Sequence, residues 1–334
     1  MKAVVQDRFG PPEQVLRVTE TDRPAPGPGE VLVRLRATTV NTPDWIAVAG
    51  VPYVLRASAR AKGAIRGTDI AGTVAALGEG VTAFTEGEAV FGTKWGAGFT
   101  RAGTFAEYTV TAADQLLPKP AGLSFTDAAC AVMSGLTARA AVAAAQAGPG
   151  TRLLVNGASG GVGTFAVQIA KHRGAHVTAV CGPANLDLVR GLGADAALDY
   201  TAADFTAGAE RYDAILDNVL NHRPRRVLRA LAPGGVYLPN SVGNTGGLLA
   251  GLAKMGAASL LGALGRARVA TVDGNFTPER LAEVAGLITS GAVTPVIDRV
   301  YPLAETPAAV ARMYSHRARG NLVITMDDDE AAPR

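Results

Sequence analysis

The sequence predicts an α/β protein in two parts, a doubly wound parallel sheet and a smaller domain of β-barrel type. Three observations carry this. The 334 residues are too many for one typical small domain and suggest two. The first 120 or so read as short β-branched or alternating runs separated by Pro and Gly clusters. From about residue 124 the character changes to strands alternating with helices, the pattern of a parallel sheet with crossover helices.

Taken in order, "KAVVQ", "EVLVRLRATTV", "DIAGTVAAL", "AVFGT" and "TFAEYTV" are the strands of the first part, punctuated by stretches such as "RPAPGPGE". "SFTDAACAVMSGLTARAAVAAAQA" is Ala-rich and predicts one helix, with Ser124 as N-cap and Asp127 three residues on, close to a capping box. Strands and helices then alternate through "RLLVNGA", "TFAVQIAKHRG", "HVTAVC", "NLDLVRGLGA", "AALDY", "YDAILDNV", "RRVLRALAPGG" and "VYLPNSV". "TPERLAEVAGLITSGAV" predicts a further helix, and "PVIDRVYPL", "TPAAVARMYSHRARG" and "NLVITM" read as strand, helix, strand.

Composition narrows the function. Aromatics are scarce, and Ala, Gly and Val carry the apolar content, which suits close helix-on-sheet packing. A net charge of +3 and a short Arg223, Arg225, Arg226, Arg229 cluster fit a solvated helix face and argue against nucleic acid as a partner. Cys130 and Cys181 have neither disulfide nor metal-ligand spacing, which fits a reducing, cytoplasmic setting. "MKAVVQDRFG" lacks a signal-peptide core, and residues 246–265 are too dilute in apolar groups, with Lys254 among them, to read as a membrane span. His172, His176, His222 and His316 are dispersed and form no triad or ligand set.

The chemistry is signalled by "NGASGGVGTFAVQIAK". It follows a strand and opens a helix, with Ala158, Gly160 and Gly163 at the three positions of a G-x-G-x-x-G fingerprint. Glycine at the second position admits a pyrophosphate, glycine at the third allows tight helix–strand packing, and the helix N-terminus attracts the anion. This predicts a Rossmann dinucleotide site. No acid stands at the end of the second strand, where NAD sites place one; Asp187 comes too late, and only Asn185 offers a side-chain donor. The expectation is NADPH, with NADH possible.

Together with "VNTPDW", "GTDIAGTVAALGEGVTAFTEGEAVFG", "GTFAEYTV", "LPKPAGLSFTDAACAVMSGLTARAAV", "LGADAALDY" and "VTPVIDRVYPLAETPAAVARM", the loop resembles the medium-chain dehydrogenase/reductase superfamily, in its zinc-independent quinone oxidoreductase (zeta-crystallin-like) branch. The resemblance spans nearly the whole chain. It implies a chaperonin-10-like (GroES-like) catalytic domain, residues 1–123 and 286–334, around a Rossmann domain, residues 124–285, with the active site in the cleft that the two form. Zinc is not expected, because Thr68 and Asp69 replace the His and Glu of zinc-dependent members and Met133 falls at the third ligand position.

Carried over residue by residue, the resemblance puts Asn41 near the nicotinamide ribose and Thr137 beside the ring. Ser159, Gly160, Gly161, Val162 and Gly163 would hold the pyrophosphate. Cys181, Asn185 and Tyr200 would border the adenosine 2′-phosphate. Asn218, Val219, Asn240 and Ser241 would line the nicotinamide side, and Asn321 stands where relatives often carry lysine. Two departures are plain: Gly182-Pro183-Ala184 replaces the usual polar residues, and Leu220 replaces a glycine.

Reduction of a quinone or an α,β-unsaturated carbonyl builds negative charge on the carbonyl oxygen, so a donor there lowers the barrier. Asn41 and Tyr53 are the candidate catalytic donors, with water as proton source; Tyr53 and Trp95 are the candidate substrate contacts. Asp44 is expected to order its loop and Trp45 to be core. The reading is an NADPH-dependent, zinc-independent oxidoreductase acting on a small quinone or enone and forming a homodimer through the sheet edge near "RVATV". A specialised biosynthetic enone or enoyl reductase, and a catalytically weak dinucleotide-binding sensor or scaffold, stay open as alternatives.

Overall fold

The computed structural model describes residues 1–51, 61–94, 102–241, 247–264 and 268–326. The chain forms two compact units, one of residues 1–133, 276–289 and 297–334, the other of residues 134–275 and 290–296.

The first unit opens with β1 (Lys2–Gln6), α1 (Pro12–Val15), β2 (Leu16–Glu20), β3 (Glu30–Val40) and α2 (Thr42–Ala49). It continues with β4 (Ala64–Ile65), β5 (Asp69–Leu77), β6 (Ala89–Thr93), β7 (Tyr108–Ala112), β8 (Leu116–Pro118) and α3 (Phe125–Cys130). β3 is the hub: it pairs antiparallel with β5 and β7, and its far end with a strand from the C-terminal part of the chain. Its two register shifts against β5 let so long a strand bend around the core. That core gathers Val31, Val33, Leu35, Ile70, Val74, Val90 and Leu116 from successive strands, with Phe84 from the connection between β5 and β6.

The second unit holds α4 (Leu136–Ala144), β9 (Arg152–Asn156), α5 (Gly161–His172), β10 (His176–Cys181), α6 (Leu186–Gly191) and β11 (Ala196–Asp199). β12 (Tyr212–Asp217), α7 (Pro224–Arg229), β13 (Leu231–Pro239), α8 (Gly247–Ala263) and β14 (Arg268–Val269) complete it. All six strands are parallel, in the order β11-β10-β9-β12-β13-β14. That is the 3-2-1-4-5-6 order of a Rossmann sheet, with its switch point where β9 meets β12. Leu153, Leu154 and Val155 of β9 are all buried, because helices cover both faces of a parallel sheet. The chain then returns to the first unit through α9 (Pro278–Thr289), β15 (Ile297–Pro302), α10 (Thr306–Tyr314) and β16 (Asn321–Thr325), with β16 against β3.

Two expectations change here. The single helix expected after Ser124 is three pieces: α3, a π-helical turn over Ala131–Gly135, and α4. Ser124 does cap α3, accepting from Asp127 N at 3.0 Å. The compact units also divide at 133/134 and 275/276, with 290–296 in the second unit, against the expected 123/124 and 285/286; the first difference follows from α3, which packs onto β3 and β5 through the fully buried Ala128, Ala129 and Cys130. The stretch 246–265 does contain a helix, α8, and among the described residues no helix is long and apolar enough to cross a membrane.

Candidate functional site

In the second unit the loop from β9 to α5 lies at the switch point of the sheet. Its turn is made by Gly157, at φ +79°, a conformation that L side chains rarely adopt. Gly157 N and Ala158 N both donate to Val180 O, at 3.1 and 3.0 Å, and so tie the loop to β10. The turn glycine is thus one residue earlier than the Ala158 assigned from spacing. Gly160 is the N-cap of α5, and Thr164 N to Gly160 O, at 2.9 Å, is the first bond of the helix. The N–H groups of Gly161, Val162 and Gly163 precede that bond, and the first turn carries no acid.

The two later glycines have different reasons. A Cβ on Gly163 would overlap Gly157 O and lie 2.7 Å from Ala158 Cα, so glycine is required by packing alone. A Cβ on Gly160 would meet only Gly157 O, at 3.6 Å, an ordinary contact. Among the described residues no neighbour demands glycine there, which is what a cradle for a ligand requires.

Beyond the loop, Asn185 Nδ2 donates to Ser159 Oγ at 3.2 Å, joining two residues assigned to the site. Tyr200 is exposed and lies over Gly182, its ring atoms 3.4–3.8 Å from where a Cβ would sit. Asp187 is on α6, fully solvated and paired with Arg190 at 3.0 Å, so it is no ribose ligand. The Cys181 side chain is buried, burial with Asp199 nearby pushes its thiol up to about 11, and its backbone carbonyl accepts from Tyr200 N.

At the tip of β12 stands a residue that the sequence reading passed over. The carboxylate of Asp217 accepts from Asn156 Nδ2 (2.8 Å), Val219 N (3.1 Å), Leu220 N (2.8 Å) and the Tyr237 hydroxyl (3.0 Å). It binds the ends of β9, β12 and β13 into one frame, and burial beside it pushes the Tyr237 phenol far up. Its signal was the acid opening "DNV". Asn240 Nδ2 donates to Asn218 Oδ1 at 2.7 Å, and Ser241 is buried next to it. Leu220, where the resemblance implied glycine, is buried at φ +55°. Thr137, on α4, stands beside Gly274, whose Cβ would lie 3.0 Å from Thr137 Oγ1.

In the first unit a buried polar cluster surrounds the start of α2. Asn41 is the N-cap, and its backbone N–H donates to Asp44 Oδ2 at 2.7 Å. Asp44 Oδ1 accepts from Gly67 N at 3.2 Å, so Asp44 orders two loop ends, as expected. Arg66 bridges from this region to Gln6 through Nε, at 2.7 Å, and Gln6 holds the Val48 carbonyl at 2.9 Å. Burial pushes Asp44 up to about 7 and Asp69 up to about 6, the latter against four hydrogen bonds that lower it.

The role expected for Asn41 is revised. Both hydrogens of its amide are committed, to Thr39 Oγ1 at 3.0 Å and Asp69 Oδ2 at 2.8 Å. The pole left for a ligand is the carbonyl Oδ1, an acceptor, so Asn41 is no donor to a developing oxyanion. Asn321 is buried at the head of β16 in this unit. Trp45 is core. Tyr53 and Trp95 lie outside the described residues.

Residues 27–121 match the alcohol dehydrogenase GroES-like domain, and residues 192–324 match the zinc-binding dehydrogenase family. The chain is 30% identical over 337 residues to Quinone-oxidoreductase QR1, chloroplastic, of Triphysaria versicolor, covering 97% of this chain and 98% of that one. It is 31% identical over 364 residues to NAD(P)H oxidoreductase RTN4IP1, mitochondrial, of Mus musculus, covering 98% and 89%. Among solved structures, the quinone oxidoreductase from Coxiella burnetii superposes with a TM-score of 0.87 at 27% identity, covering 98% and 99%.

The residues present do not fit the zinc of the second description. Among the described residues no group of three His, Cys, Asp or Glu is placed to hold a metal ion. Asp69 is spent on Thr39, Asn41 and Thr68, and burial keeps the Cys130 thiol protonated, far from the thiolate that a metal requires. A GroES-like sheet unit, a Rossmann unit with a glycine loop at its switch point, and relatives matched over nearly their whole length agree: the chain belongs to the medium-chain dehydrogenase/reductase superfamily and is an NAD(P)H-dependent oxidoreductase.

Proposed function

We propose that this enzyme uses NADPH to reduce a quinone or an α,β-unsaturated carbonyl compound, without zinc. The observation that carries the reading is the loop at 157–163, where no described residue crowds the Cβ position of Gly160, at the positive end of a twelve-residue helix. The backbone N–H groups of Gly161, Val162 and Gly163 take the pyrophosphate. Ser159, held by Asn185, and Tyr200 take the adenosine side, where the lack of an acid favours a 2′-phosphate. Asn218, Val219, Asn240, Ser241 and Thr137 serve the nicotinamide side. Asn41 accepts a hydrogen bond from the ribose through Oδ1.

When bound, the cofactor supplies the hydride, and the protein supplies orientation and exclusion of water. With the Asn41 amide committed, Tyr53 is the remaining side-chain donor for the substrate oxygen, and water delivers the proton. Trp95 contacts the substrate. The free, buried Cys130 and Cys181 support a reducing, cytoplasmic setting. β14 ends the strand order of the parallel sheet and supports a homodimer through that edge.

Fluorescence titration with NADPH and NADH, followed by an acceptor panel of quinones and enones, tests the reading. Preference for NADPH with turnover of either acceptor class supports it. Binding without turnover on the whole panel replaces the enzyme reading with that of a dinucleotide sensor, and stoichiometric zinc in the purified protein overturns the zinc-free mechanism.

A further inference from the structure

We propose that Asp69 is a positioning residue: as a carboxylate it holds the Asn41 amide with the carbonyl oxygen presented to the ligand, and protonation of Asp69 releases that orientation. This rests on the reading that Asn41 meets the ribose of the bound dinucleotide.

Asp69 heads β5 with no exposed surface. Its partners all donate: Thr39 Oγ1, Asn41 Nδ2 at 2.8 Å, Thr68 Oγ1 at 3.4 Å and the backbone N–H of Met133. The Thr39 hydroxyl gives its one hydrogen to Asp69, so its oxygen is free to accept from Asn41 Nδ2 at 3.0 Å. The carboxylate therefore fixes the amide twice, directly and through Thr39. A protonated Asp69 has to donate once. Among its partners only the hydroxyls are able to accept; if Thr39 does so, it turns its own hydrogen elsewhere, and Asn41 loses both reasons to point its nitrogen inward.

Among the described residues, the titratable groups facing Asp69 are Asp44 from α2 and Cys130 from α3, while Arg66 faces Asp44. Across β6 its neighbour is Thr93, which carries no charge. Burial holds Cys130 protonated, so between pH 5 and 8 the groups that change are Asp69, near 6, and Asp44, near 7.

The test compares dissociation constants for NADPH and for adenosine 2′-monophosphate, a probe of the adenosine side alone. The 2′-phosphate is the one phosphate monoester in each, so its own titration cancels in the ratio. From pH 8 to pH 5 the wild-type ratio, NADPH over monophosphate, rises roughly three- to tenfold, the worth of one net hydrogen bond. Asp69→Asn raises the ratio at pH 8 and flattens its profile. Thr39→Val, which keeps shape and removes the relay hydroxyl, shrinks the step. Asp44→Asn retains it, centred near 6. Thermal melts at each pH report folding. A flat wild-type ratio, an unchanged profile in Asp69→Asn, or a step lost in Asp44→Asn instead each overturns the proposal. Wild-type protein that binds neither probe overturns the dinucleotide reading as well.

Discussion

Alanine at Gly160 and alanine at Gly163 are the same chemical change three residues apart, and the structure assigns them opposite consequences. At Gly160 the backbone is extended, φ −83° and ψ 175°, which any residue adopts, and the new Cβ meets only Gly157 O at 3.6 Å. Replacing Gly by Ala where the conformation fits gains roughly 0.4–1 kcal/mol through the unfolded chain. Loss of glycine from the N-cap costs a similar amount, so net stability changes by no more than about 0.5 kcal/mol. The methyl group instead enters the proposed phosphate cradle, and overpacking of roughly 1–3 kcal/mol there is expected to weaken NADPH binding about five- to 150-fold. At Gly163 the methyl group is driven into backbone, with Ala158 Cα at 2.7 Å and Ala158 C at 2.8 Å, and neither moves as a flexible side chain does. The helix-propensity gain of about 1 kcal/mol is outweighed by at least 1–3 kcal/mol of overpacking, and the fold weakens. Urea unfolding of the apo proteins and fluorescence titration of NADPH read the two effects separately. A folded Gly160→Ala protein with wild-type affinity, or equal destabilisation by the two variants, would refute the division of roles.

Leu220→Gly relieves roughly 1–2 kcal/mol of left-handed strain but deletes a buried side chain worth roughly 2–5 kcal/mol, so denaturant melts should show a net loss of about 1–3 kcal/mol. A more stable variant would mean that strain dominates. Asp44 is an acid whose folded pKa is raised, to about 7 from 3.8, so the native state binds its proton more tightly than the unfolded chain and stability falls as pH rises through that window. The difference in stability between pH 5.5 and pH 8 should therefore shrink in Asp44→Asn relative to wild type, as read by urea melts. His316, whose pKa is lowered by burial, pulls in the opposite direction in both proteins and cancels. Dialysis against a chelator should leave NADPH oxidation unchanged, and activity that returns only with added zinc would contradict the ligand count.

The parts legible in the sequence are those with local causes. The alternating runs, the βα repeats and the glycine loop each follow from the conformation of a few neighbouring residues, and the strand order 3-2-1-4-5-6 follows from the repeats. The misreadings share a non-local cause. Asn41 looked like a donor because the acceptors of its hydrogens are set by the pairing of β3 with β5, which brings Asp69, 28 residues away in the chain, into contact. Asp217 was invisible as an organiser because its partners come from β9 and β13. The Ala-rich helix was read as continuous because nothing in its composition announces a π-helical turn, although Ser134 and Gly135 sit in it. The turn is a local matter: the spacing put Ala158 at the first fingerprint position, and the positive φ belongs to its neighbour Gly157.

The hub strand β3 also sets the order in which this chain becomes a protein. Leu322 of β16 pairs with Val40, about 280 residues earlier, so closing that register carries a large loop entropy and a late contact. On the ribosome, every strand of the parallel sheet emerges before β16 does. Until β16 is released, one edge of β3 around Ala37–Val40 stays open, next to the very segment that caps α2 with Asn41. A ribosome stalled before residue 321 therefore holds a chain in which the strands of the parallel sheet and the β3–β5 pair that holds Asn41 are all present, while β3 still offers a bare edge to any strand that meets it.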